Sequence, residues 1–145
     1  MKLAIKRLSE GAVLPCRATS GSAGYDLCAC MKESVRVEPG EIVRIPTGIA
    51  AELDTADAAL FIYARSGLAS KFGITLANCV GVVDSDYRGE IIVPVINLGQ
   101  AAYTVEPGQR IAQMVAAPVL LPELEEADSL PETVRGSGGF GSTGL

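Results

Sequence analysis

The chain contains no histidine among its 145 residues. This absence excludes the Ser-His and Cys-His pairs in which an imidazole activates a nucleophile. Any general base must therefore be an Asp, Glu, Lys, Tyr or Cys side chain. Helical periodicity is also almost absent, and turn signals separate many short apolar segments. We therefore predict an all-β chain.

Long apolar runs are missing as well. No stretch of about 18 apolar residues occurs, so a membrane span is not expected. Residues 1–6 alternate polar and apolar side chains, unlike a signal peptide, and we expect a strand there and a cytoplasmic protein. Hydrophobic residues nevertheless make up 48% of the chain, with a mean hydropathy of +0.31. This surplus suggests apolar surface between subunits.

Positive charge is scarce. Twelve Lys and Arg face 17 Asp and Glu, which gives a formal net charge of −5. Such a surface repels nucleic acid, so no nucleic-acid partner is expected. A small anionic ligand is still compatible with this charge if a few arginines converge locally.

The four cysteines do not form a metal-binding pattern. Cys28 and Cys30 make a C-x-C pair, but Cys16 and Cys79 do not make a second pair. A zinc site built from cysteine alone would need two closely spaced pairs. We therefore expect ordinary buried thiols.

Tight turns and one short helix punctuate the strands. Two similar Pro-Gly turns, at residues 38–41 and 106–109, each follow one strand and precede another. A helix is predicted from Ser66 to Phe72, with Ser66 as its N-cap and Gly73 ending it. The whole pattern favours a sandwich, a jelly roll or a barrel.

Three segments differ in composition. Residues 1–121 hold the predicted strands, and residues 122–134 are a Pro-containing acidic stretch typical of an extended linker. Residues 135–145 form a glycine-rich tail that contains Arg135 and Phe140. Glycine N–H groups can cradle an anion, an arginine adds a forked donor, and a phenyl ring stacks on a flat ring. The alternative is a disordered low-complexity end.

An acidic stretch at residues 81–90 lies between two runs rich in Val and Ile. We interpret it as a β-hairpin with Asp84, Asp86 and Tyr87 at its end. Side chains alternate along an extended chain, so one carboxylate can face a pocket while the other bonds the turn. The alternative is a surface turn without chemistry.

Two further segments place cationic and polar groups where an anion could bind. Arg65 and Ser66 lie between a strand and the predicted helix, and a helix N-terminus attracts anions. Arg110 and Gln113 lie on the strand after the second Pro-Gly turn. The alternatives are a plain N-cap with a solvated arginine and an exposed strand edge.

Five segments, in this order, resemble the five motifs of the trimeric dUTP pyrophosphatase (dUTPase) family. They are residues 23–27, 64–69, 81–89, 110–114 and 135–144. Each motif alone is weakly specific, but five in the right order over nearly the whole chain are highly specific. Ala64 departs from the family, which often has proline before the arginine, and this leaves the phosphate contacts unaffected.

The resemblance implies a jelly-roll-like distorted β-barrel with one short helix and a flexible C-terminal tail that closes over the active site. It implies a homotrimer with sites at its interfaces. The implied reaction is hydrolysis of dUTP to dUMP and pyrophosphate, which keeps uracil out of DNA and supplies dUMP for dTMP synthesis. Mg²⁺ would be held mainly by substrate phosphates and water, with Asp26 as a candidate contact through water.

The resemblance also assigns roles to single residues. Asp84 matches the general base that activates a water for in-line attack on the α-phosphorus, and Asp86 supports the hairpin or an interface arginine. Tyr87 packs against the deoxyribose and leaves no room for a 2′-hydroxyl. The other residues assigned to uracil and the sugar are Asn78, Gly81, Val82, Val83, Ile92 and Phe140. Those assigned to phosphates and water are Arg65, Ser66, Gly67, Arg110, Gln113, Arg135, Gly138, Ser142 and Thr143.

Three other functions are weighed against this one. A dCTP deaminase has the same fold, but the loop with Asp84 and Tyr87 and the complete glycine-rich tail favour dUTPase. A non-enzymatic nucleotide-binding module would not need Asp84. A structural β-protein would not explain why Arg, Ser and Phe recur among the glycines.

Overall fold

The computed structural model describes residues 1–139, and these form antiparallel strands with one short helix. The strands are β1 (Leu3–Arg7), β2 (Tyr25–Cys28), β3 (Val35–Val37), β4 (Ile42–Pro46), β5 (Ile49–Leu53), β6 (Ala58–Ala64), β7 (Ile74–Leu76), β8 (Gly81–Val83), β9 (Ile92–Asn97), β10 (Tyr103–Val105) and β11 (Arg110–Pro118), with helix α1 (Ser66–Phe72) between β6 and β7. The predicted all-β class with one short helix is confirmed.

The strands pair in four sheets that share one core. The sheet orders are β1-β5, β10-β3, β2-β11-β6-β8 and β4-β9-β7. Within residues 1–139 these ladders do not close into a continuous barrel. Branched and long apolar side chains from the different sheets meet in the centre, where each is at most 2% exposed: Leu27, Ile45, Leu60, Val93 and Met114.

The two Pro-Gly turns are built alike. Gly40 and Gly108 have φ angles of 81° and 74°, which L side chains rarely adopt and glycine adopts freely. In the first turn the N–H of Glu41 donates to the carbonyl of Glu38 at 3.0 Å. The predicted Pro-Gly turns are present, and the positive φ of glycine at the third position is that of a type II turn. The strands on either side separate, because β3 pairs with β10 whereas β4 pairs with β9.

The predicted hairpin at residues 81–90 is wrong. β8 pairs with β6, through Ile62 opposite Gly81, and β9 pairs with β4 and β7. Both flanking runs are strands, but each finds its partner in a different sheet. Residues 84–91 are therefore a loop that crosses from one sheet to another.

The helix spans the predicted residues, but its N-cap is Arg65 and not Ser66. Arg65, with φ −83° and ψ 128°, is the N-cap, and Ser66 is the first helical residue. The carbonyl of Arg65 accepts bonds from the N–H groups of Leu68 and Ala69, both at 3.0 Å. Gly73 ends the helix with φ 70°, as predicted. Across residues 1–139 no helix is long and apolar enough to span a membrane.

Candidate functional site

A cavity of about 250 Å³ opens where β8, β9 and the crossing loop meet, and we call it the Asp84 cavity. Complete small-molecule sites usually measure about 300–1,000 Å³, so this one suits part of a ligand. The carboxylate-bearing Asp84 is exposed to solvent at its wall. The lining residues are Arg44, Ile62, Leu76, Asn78, Gly81, Val82, Val83, Asp84, Tyr87, Glu90, Ile91, Ile92 and Pro94.

One wall of this cavity is the edge strand β8. In the described part of the chain β8 has a neighbour on one side only, β6, so it presents main-chain N–H and C=O groups on the other side. A Cβ on Gly81 would lie 3.1 Å from the Cβ of Ile62 and 3.5 Å from Nδ2 of Asn78. The absence of a side chain at Gly81 therefore keeps the amide of Asn78 close to the strand backbone.

The crossing loop is held by its own polar groups. The N–H of Tyr87 donates to the carbonyl of Asp84 at 3.1 Å, and the Tyr87 hydroxyl donates to the carbonyl of Glu90 at 3.0 Å. The Tyr87 hydroxyl lies where a Cβ on Gly89 would project, so only glycine fits beneath it. Oε1 of Glu90 accepts the N–H of Gly48 at 2.7 Å. These bonds fix Tyr87 beside Asp84.

A second cavity, of about 430 Å³, lies on the sheet formed by β2, β11 and β6, and we call it the Arg65 cavity. Its floor is a row of three residues in register, Asp26 opposite Gln113 and Gln113 opposite Tyr63. Directly opposite residues share a face of a sheet, so these three side chains lie together. The lining residues are Ala18, Ser22, Ala23, Gly24, Asp26, Tyr63, Arg65, Ser66, Gly67, Gln113 and Val115.

Asp26 joins two arginines at this cavity. Its Oδ1 accepts from Nε of Arg65 at 2.9 Å, and its Oδ2 accepts from Nη1 of Arg110 at 3.1 Å. The Asp26 side chain is 11% exposed, whereas Arg65 is 30% and Arg110 52% exposed. Two guanidinium groups against one carboxylate leave a net charge of +1. The cluster therefore attracts anions from its open side.

Gln113 is fixed in the middle of the same floor. Its Nε2 donates to the carbonyl of Ala64, the residue before Arg65, at 3.0 Å. A Cβ on Gly24 would lie 2.8 Å from Oε1 of Gln113. A side chain at position 24 would therefore displace the Gln113 amide from the floor of the Arg65 cavity.

The two cavities open on opposite faces of β6. Ile62 lines the Asp84 cavity, and the next residue, Tyr63, lines the Arg65 cavity. Successive side chains of a strand point to opposite sides. The two sets of lining residues have no member in common and lie on opposite sides of β6 within one chain.

Comparison with known proteins identifies the family. The family model described as dUTPase matches residues 10–144. A deoxyuridine 5'-triphosphate nucleotidohydrolase of Desulfitobacterium hafniense is 55% identical over the whole chain and 96% of its own length. One from Acinetobacter baumannii is 48% identical over 99% of this chain and 96% of its own length.

The chain belongs to the dUTPase family.

Solved dUTPase structures share the fold. The dUTPase of Staphylococcus bacteriophage 80alpha, solved with dUPNHPP, matches with a TM-score of 0.88 and 28% identity over 99% of both chains. A mutant dUTPase from phage phi11 of S. aureus, whose structure reveals the coordination of a structural Mg(II) ion, matches with a TM-score of 0.80. The match covers 91% of this chain and 100% of that one. Its 24% identity supports the likeness of fold alone.

The dUTPase motifs distribute between the two cavities. The Asp84 cavity gathers the predicted residues Asn78, Gly81, Val82, Val83, Asp84, Tyr87 and Ile92. The Arg65 cavity gathers Asp26, Arg65, Ser66, Gly67 and Gln113. Arg110 joins the second group through Asp26 and does not line the cavity.

The start of the tail forms a local turn. Nε of Arg135 donates to the carbonyl of Gly138 at 2.8 Å, and the N–H of Gly138 donates to the carbonyl of Arg135 at 3.0 Å. The Arg135 guanidinium and the Gly138 N–H thus both donate hydrogen bonds within this turn. Three predicted site residues lie outside the described residues: Phe140, Ser142 and Thr143.

Several residues of this dUTPase site escaped the sequence reasoning, and three of them bear on its geometry or charge. Arg44 and Glu90 line the Asp84 cavity, and Gly24 supports Gln113. Gly24 belongs to the first motif, and its position before Tyr25 was a usable signal. Arg44 carries no such signal, since only the pairing of β4 with β9 brings it to the cavity, opposite Pro94.

The expectation of buried thiols is wrong, because none of the four cysteines is fully buried. Cys16 and Cys79 are exposed, and Cys28 and Cys30 are half-buried. Burial raises the pKa of the Cys28 thiol above its ordinary value, and the nearby Cys16 and Asp26 raise it further. All four lie outside the dUTPase motifs' predicted site residues.

The described residues contain no group of three or more His, Cys, Asp or Glu side chains arranged to hold a metal ion. Both carboxylate oxygens of Asp26 already accept bonds from guanidinium groups. These observations fit a divalent ion whose ligands come mainly from a triphosphate and water. They do not fit a metal centre built from side chains of this part of the chain.

Proposed function

We propose that this dUTPase hydrolyses dUTP to dUMP and pyrophosphate at sites shared between the chains of a homotrimer. The observation that carries the chemistry is the Asp84 cavity, where an exposed carboxylate lies beside an edge strand and a fixed tyrosine. The reaction follows the family to which the chain belongs. The assignment of each residue below is part of the proposal.

The edge strand β8 and the Asn78 amide read the base. Main-chain donors and acceptors at Gly81 to Val83 pair with the polar edge of uracil. Cytosine presents the opposite donors and acceptors at that edge, and unpaired buried polar groups reject a wrong base strongly. A thymine methyl group collides with the narrow cavity. The Tyr87 ring packs against the deoxyribose and excludes a 2′-hydroxyl.

Asp84 acts as the general base. It accepts a proton from a water molecule as that oxygen forms a bond to the α-phosphorus. The bond from the α-phosphorus to the bridging oxygen of pyrophosphate breaks on the opposite side. A base placed in this way contributes about 10²–10⁴-fold to the rate. The exposed position of Asp84 gives a water access to its carboxylate.

The Arg65 cavity binds the triphosphate. Arg65, Ser66 and Gln113 face one opening, where the net positive charge of the Asp26 cluster attracts phosphate oxygens. Gly67 leaves room there for a close approach, because nothing lies within 4 Å of a Cβ built on it. Ser66 is exposed, so its hydroxyl is accessible to the ligand.

Mg²⁺, when bound, would be held mainly by the phosphate oxygens of the nucleotide and by water. The ion prefers phosphate and water oxygens and neutralises charge that develops on the triphosphate when it is bound. Asp26 would contact it only through water, because its oxygens orient Arg65 and Arg110.

The two faces of β6 support a site shared between chains of the proposed homotrimer. One chain separates its base-binding and phosphate-binding residues on opposite faces of β6, so a whole site requires the Asp84 cavity of one chain and the Arg65 cavity of another. Residues 119–134 support an exchange of segments between chains. Four of their large apolar side chains, Leu120, Leu124, Leu130 and Val134, are 84% or more exposed on the chain alone.

The tail completes the site. We propose residues 1–121 as the folded core, residues 122–134 as a linker and residues 135–145 as a segment that orders on the nucleotide. Arg135 and the glycine N–H groups would bind phosphates, and Phe140 would stack on uracil. Truncation before Arg135 should leave a folded trimer with low turnover, and a truncated protein with full kcat would contradict this role.

The substrate assignment is tested by offering dUTP, dCTP, dTTP and UTP side by side. Pyrophosphate release from dUTP alone is the expected result. Ammonia release from dCTP would instead identify a deaminase, and nucleotide binding without turnover would identify a regulatory module. With dUTP as its substrate, the enzyme would act on the nucleotide pool of the cytoplasm, lower dUTP and supply dUMP.

The shared site is tested by mixing two inactive variants. Asp84→Asn damages only the Asp84 cavity, and Arg65→Ala damages only the Arg65 cavity. If the two chains are unfolded and refolded together, random assembly gives intact composite sites at roughly a quarter of all positions, by the symmetry of a cyclic trimer. Recovery of about that share of wild-type turnover is expected. No recovery would show that each site uses both halves of one chain.

A further inference from the structure

Arg88 makes three hydrogen bonds that tie the crossing loop to another sheet. Its Nη1 donates to the carbonyl of Ser85 at 2.8 Å and to the carbonyl of Tyr87 at 3.0 Å. Its Nη2 donates to Oε1 of Glu52, on β5, at 2.9 Å. One guanidinium therefore links two main-chain groups of the loop to a carboxylate 36 positions earlier.

The Arg88 side chain lies outside the Asp84 cavity. It lines a separate groove with side chains of the β1–β5 sheet, among them Ile5, Lys6 and Glu52. The loop thus has two sides: Asp84 and Tyr87 on the ligand side, and Arg88 on the side of β5. Arg88 cannot touch a base in the cavity, but it holds the backbone that bears the two residues that would.

We propose that Arg88, anchored on Glu52, is a positioning residue that sets the conformation of the loop carrying Asp84 and Tyr87. This inference rests on the proposed hydrolysis of dUTP. Ser85 and Tyr87 flank the turn at Asp86, and their carbonyls converge on one guanidinium nitrogen. A planar, forked donor can hold two carbonyls and a carboxylate at once, whereas an ammonium group lacks this fixed geometry.

The ion pair itself contributes little to folding. The side chains of Arg88 and Glu52 are 52% and 55% exposed, and exposed pairs of this kind typically add little to stability. Catalysis is more sensitive, because a shift of about 1 Å in a reacting group can cost 10²-fold in rate. We call Arg88 and Glu52 with their hydrogen bonds the clamp. Loss of the clamp should therefore lower turnover far more than stability.

The test compares Arg88→Met, Arg88→Lys and Glu52→Gln in the full chain. Arg88→Met keeps an unbranched apolar stem and removes all three bonds, and kcat for dUTP should fall roughly 10- to 100-fold. Arg88→Lys should recover only part of this loss, and Glu52→Gln should lower kcat by a few-fold. The double variant should be no worse than Arg88→Met, because both changes break one unit.

The matched control is a second exposed ion pair. Nε of Arg36 lies 2.6 Å from Oε1 of Glu38, with 68% and 56% of the two side chains exposed, and neither residue lines the Asp84 or the Arg65 cavity. Arg36→Met and Glu38→Gln should leave kcat unchanged. A loss of turnover in the controls equal to that in the Arg88 variants would overturn a specific role for the clamp.

Two readouts separate positioning from loss of fold. The first readout is the rate of turnover per site that binds a non-hydrolysable dUTP analogue. Unfolded protein binds no analogue and therefore does not lower this value. The ratio of kcat/KM for UTP to that for dUTP should rise in Arg88→Met, because the carbonyl of Tyr87 is released. Normal turnover per binding site together with a normal ratio would overturn the proposal. If Arg88→Met does not fold, Glu52→Gln answers the same two questions.

The wild-type protein distinguishes this inference from the function on which it rests. A wild-type protein that releases no pyrophosphate from dUTP would overturn the proposed function and the clamp together. Wild-type turnover with unchanged Arg88 variants would overturn the clamp alone.

Discussion

The Arg65 cavity and the Asp84 cavity are organised by different kinds of interaction. In the first, Arg65 at the start of α1 and Arg110 on β11 form an ionic cluster around Asp26 on β2. In the second, main-chain groups of an edge strand and a crossing loop face the opening. One half of the site is arranged by side-chain charge and the other by backbone shape.

Because of this difference, different kinds of substitution should disable the two cavities. A charge cluster depends on the identity of its members, and it weakens when one member loses its charge. A backbone surface depends on dihedral angles and on the absence of side chains, as at Gly81 and Gly89. Substitutions at residues that touch no ligand can therefore disable the Asp84 cavity.

The largest effect is expected at the chemical centre of the Asp84 cavity. Asp84→Asn removes a proton acceptor with little change in shape, so kcat should fall about 10²–10⁴-fold. The dissociation constant of a non-hydrolysable dUTP analogue should stay near its wild-type value. Asp86→Asn is the control and should affect stability more than turnover. A near-normal kcat in Asp84→Asn would move the general base elsewhere.

The next effect is expected in the charge cluster. Asp26→Asn leaves two guanidinium groups beside a neutral amide, and hydrogen bonds to charged groups are worth about 1.5–3 kcal/mol. Denaturant unfolding should show a loss of about that size, reduced because Arg110 is half-exposed, and KM for dUTP should rise. Glu38→Gln, in an isolated exposed pair, should change the free energy of unfolding by less than about 0.5 kcal/mol. Equal losses in the two variants would contradict the role of the cluster.

A smaller effect concerns the choice of sugar. Tyr87→Ala removes the ring beside the expected deoxyribose, and the ratio of kcat/KM for UTP to that for dUTP should rise. Tyr87→Phe keeps the ring and removes only the bond to the carbonyl of Glu90, so its ratio should stay close to wild type. An unchanged ratio in Tyr87→Ala would assign the discrimination to other residues.

The smallest effect is a difference in thiol reactivity. Cys79 is exposed and follows Asn78 at the Asp84 cavity, whereas burial raises the pKa of Cys28 near the Arg65 cavity. A raised pKa leaves less of the reactive thiolate at a given pH. Iodoacetamide at neutral pH should therefore label Cys79 first and Cys28 last, as read by peptide mass. A dUTP analogue should slow the labelling of Cys79, and faster labelling of Cys28 would contradict the assignment.

Local rules predicted the local features. Residue preferences located the helix to the residue, its glycine end and both Pro-Gly turns, because each depends on a few adjacent side chains. The partner of a strand is not a local property. The runs on either side of the loop look like a hairpin, yet β8 and β9 join different sheets because their apolar faces are buried against different neighbours.

The site shows the same limit. Motif order identified half of the residues that line the two cavities, since each motif keeps its chemistry within a short segment. It gave no information on Arg44, which reaches the Asp84 cavity through strand pairing, or on the division of the motifs between the two faces of β6. The exposure of Cys16 and Cys79 also depends on loop paths that composition does not encode.

The two faces of β6 have a genetic consequence. A chain that is damaged on both faces contributes one faulty half to each of two neighbouring sites in the proposed trimer. In a cell with equal amounts of intact and damaged chains, random assembly leaves roughly a quarter of the sites intact. Half of the chains would then be intact, yet most of the activity would be lost. An allele whose product still folds and assembles would therefore be partly dominant. An allele that prevents folding would remove only its own share.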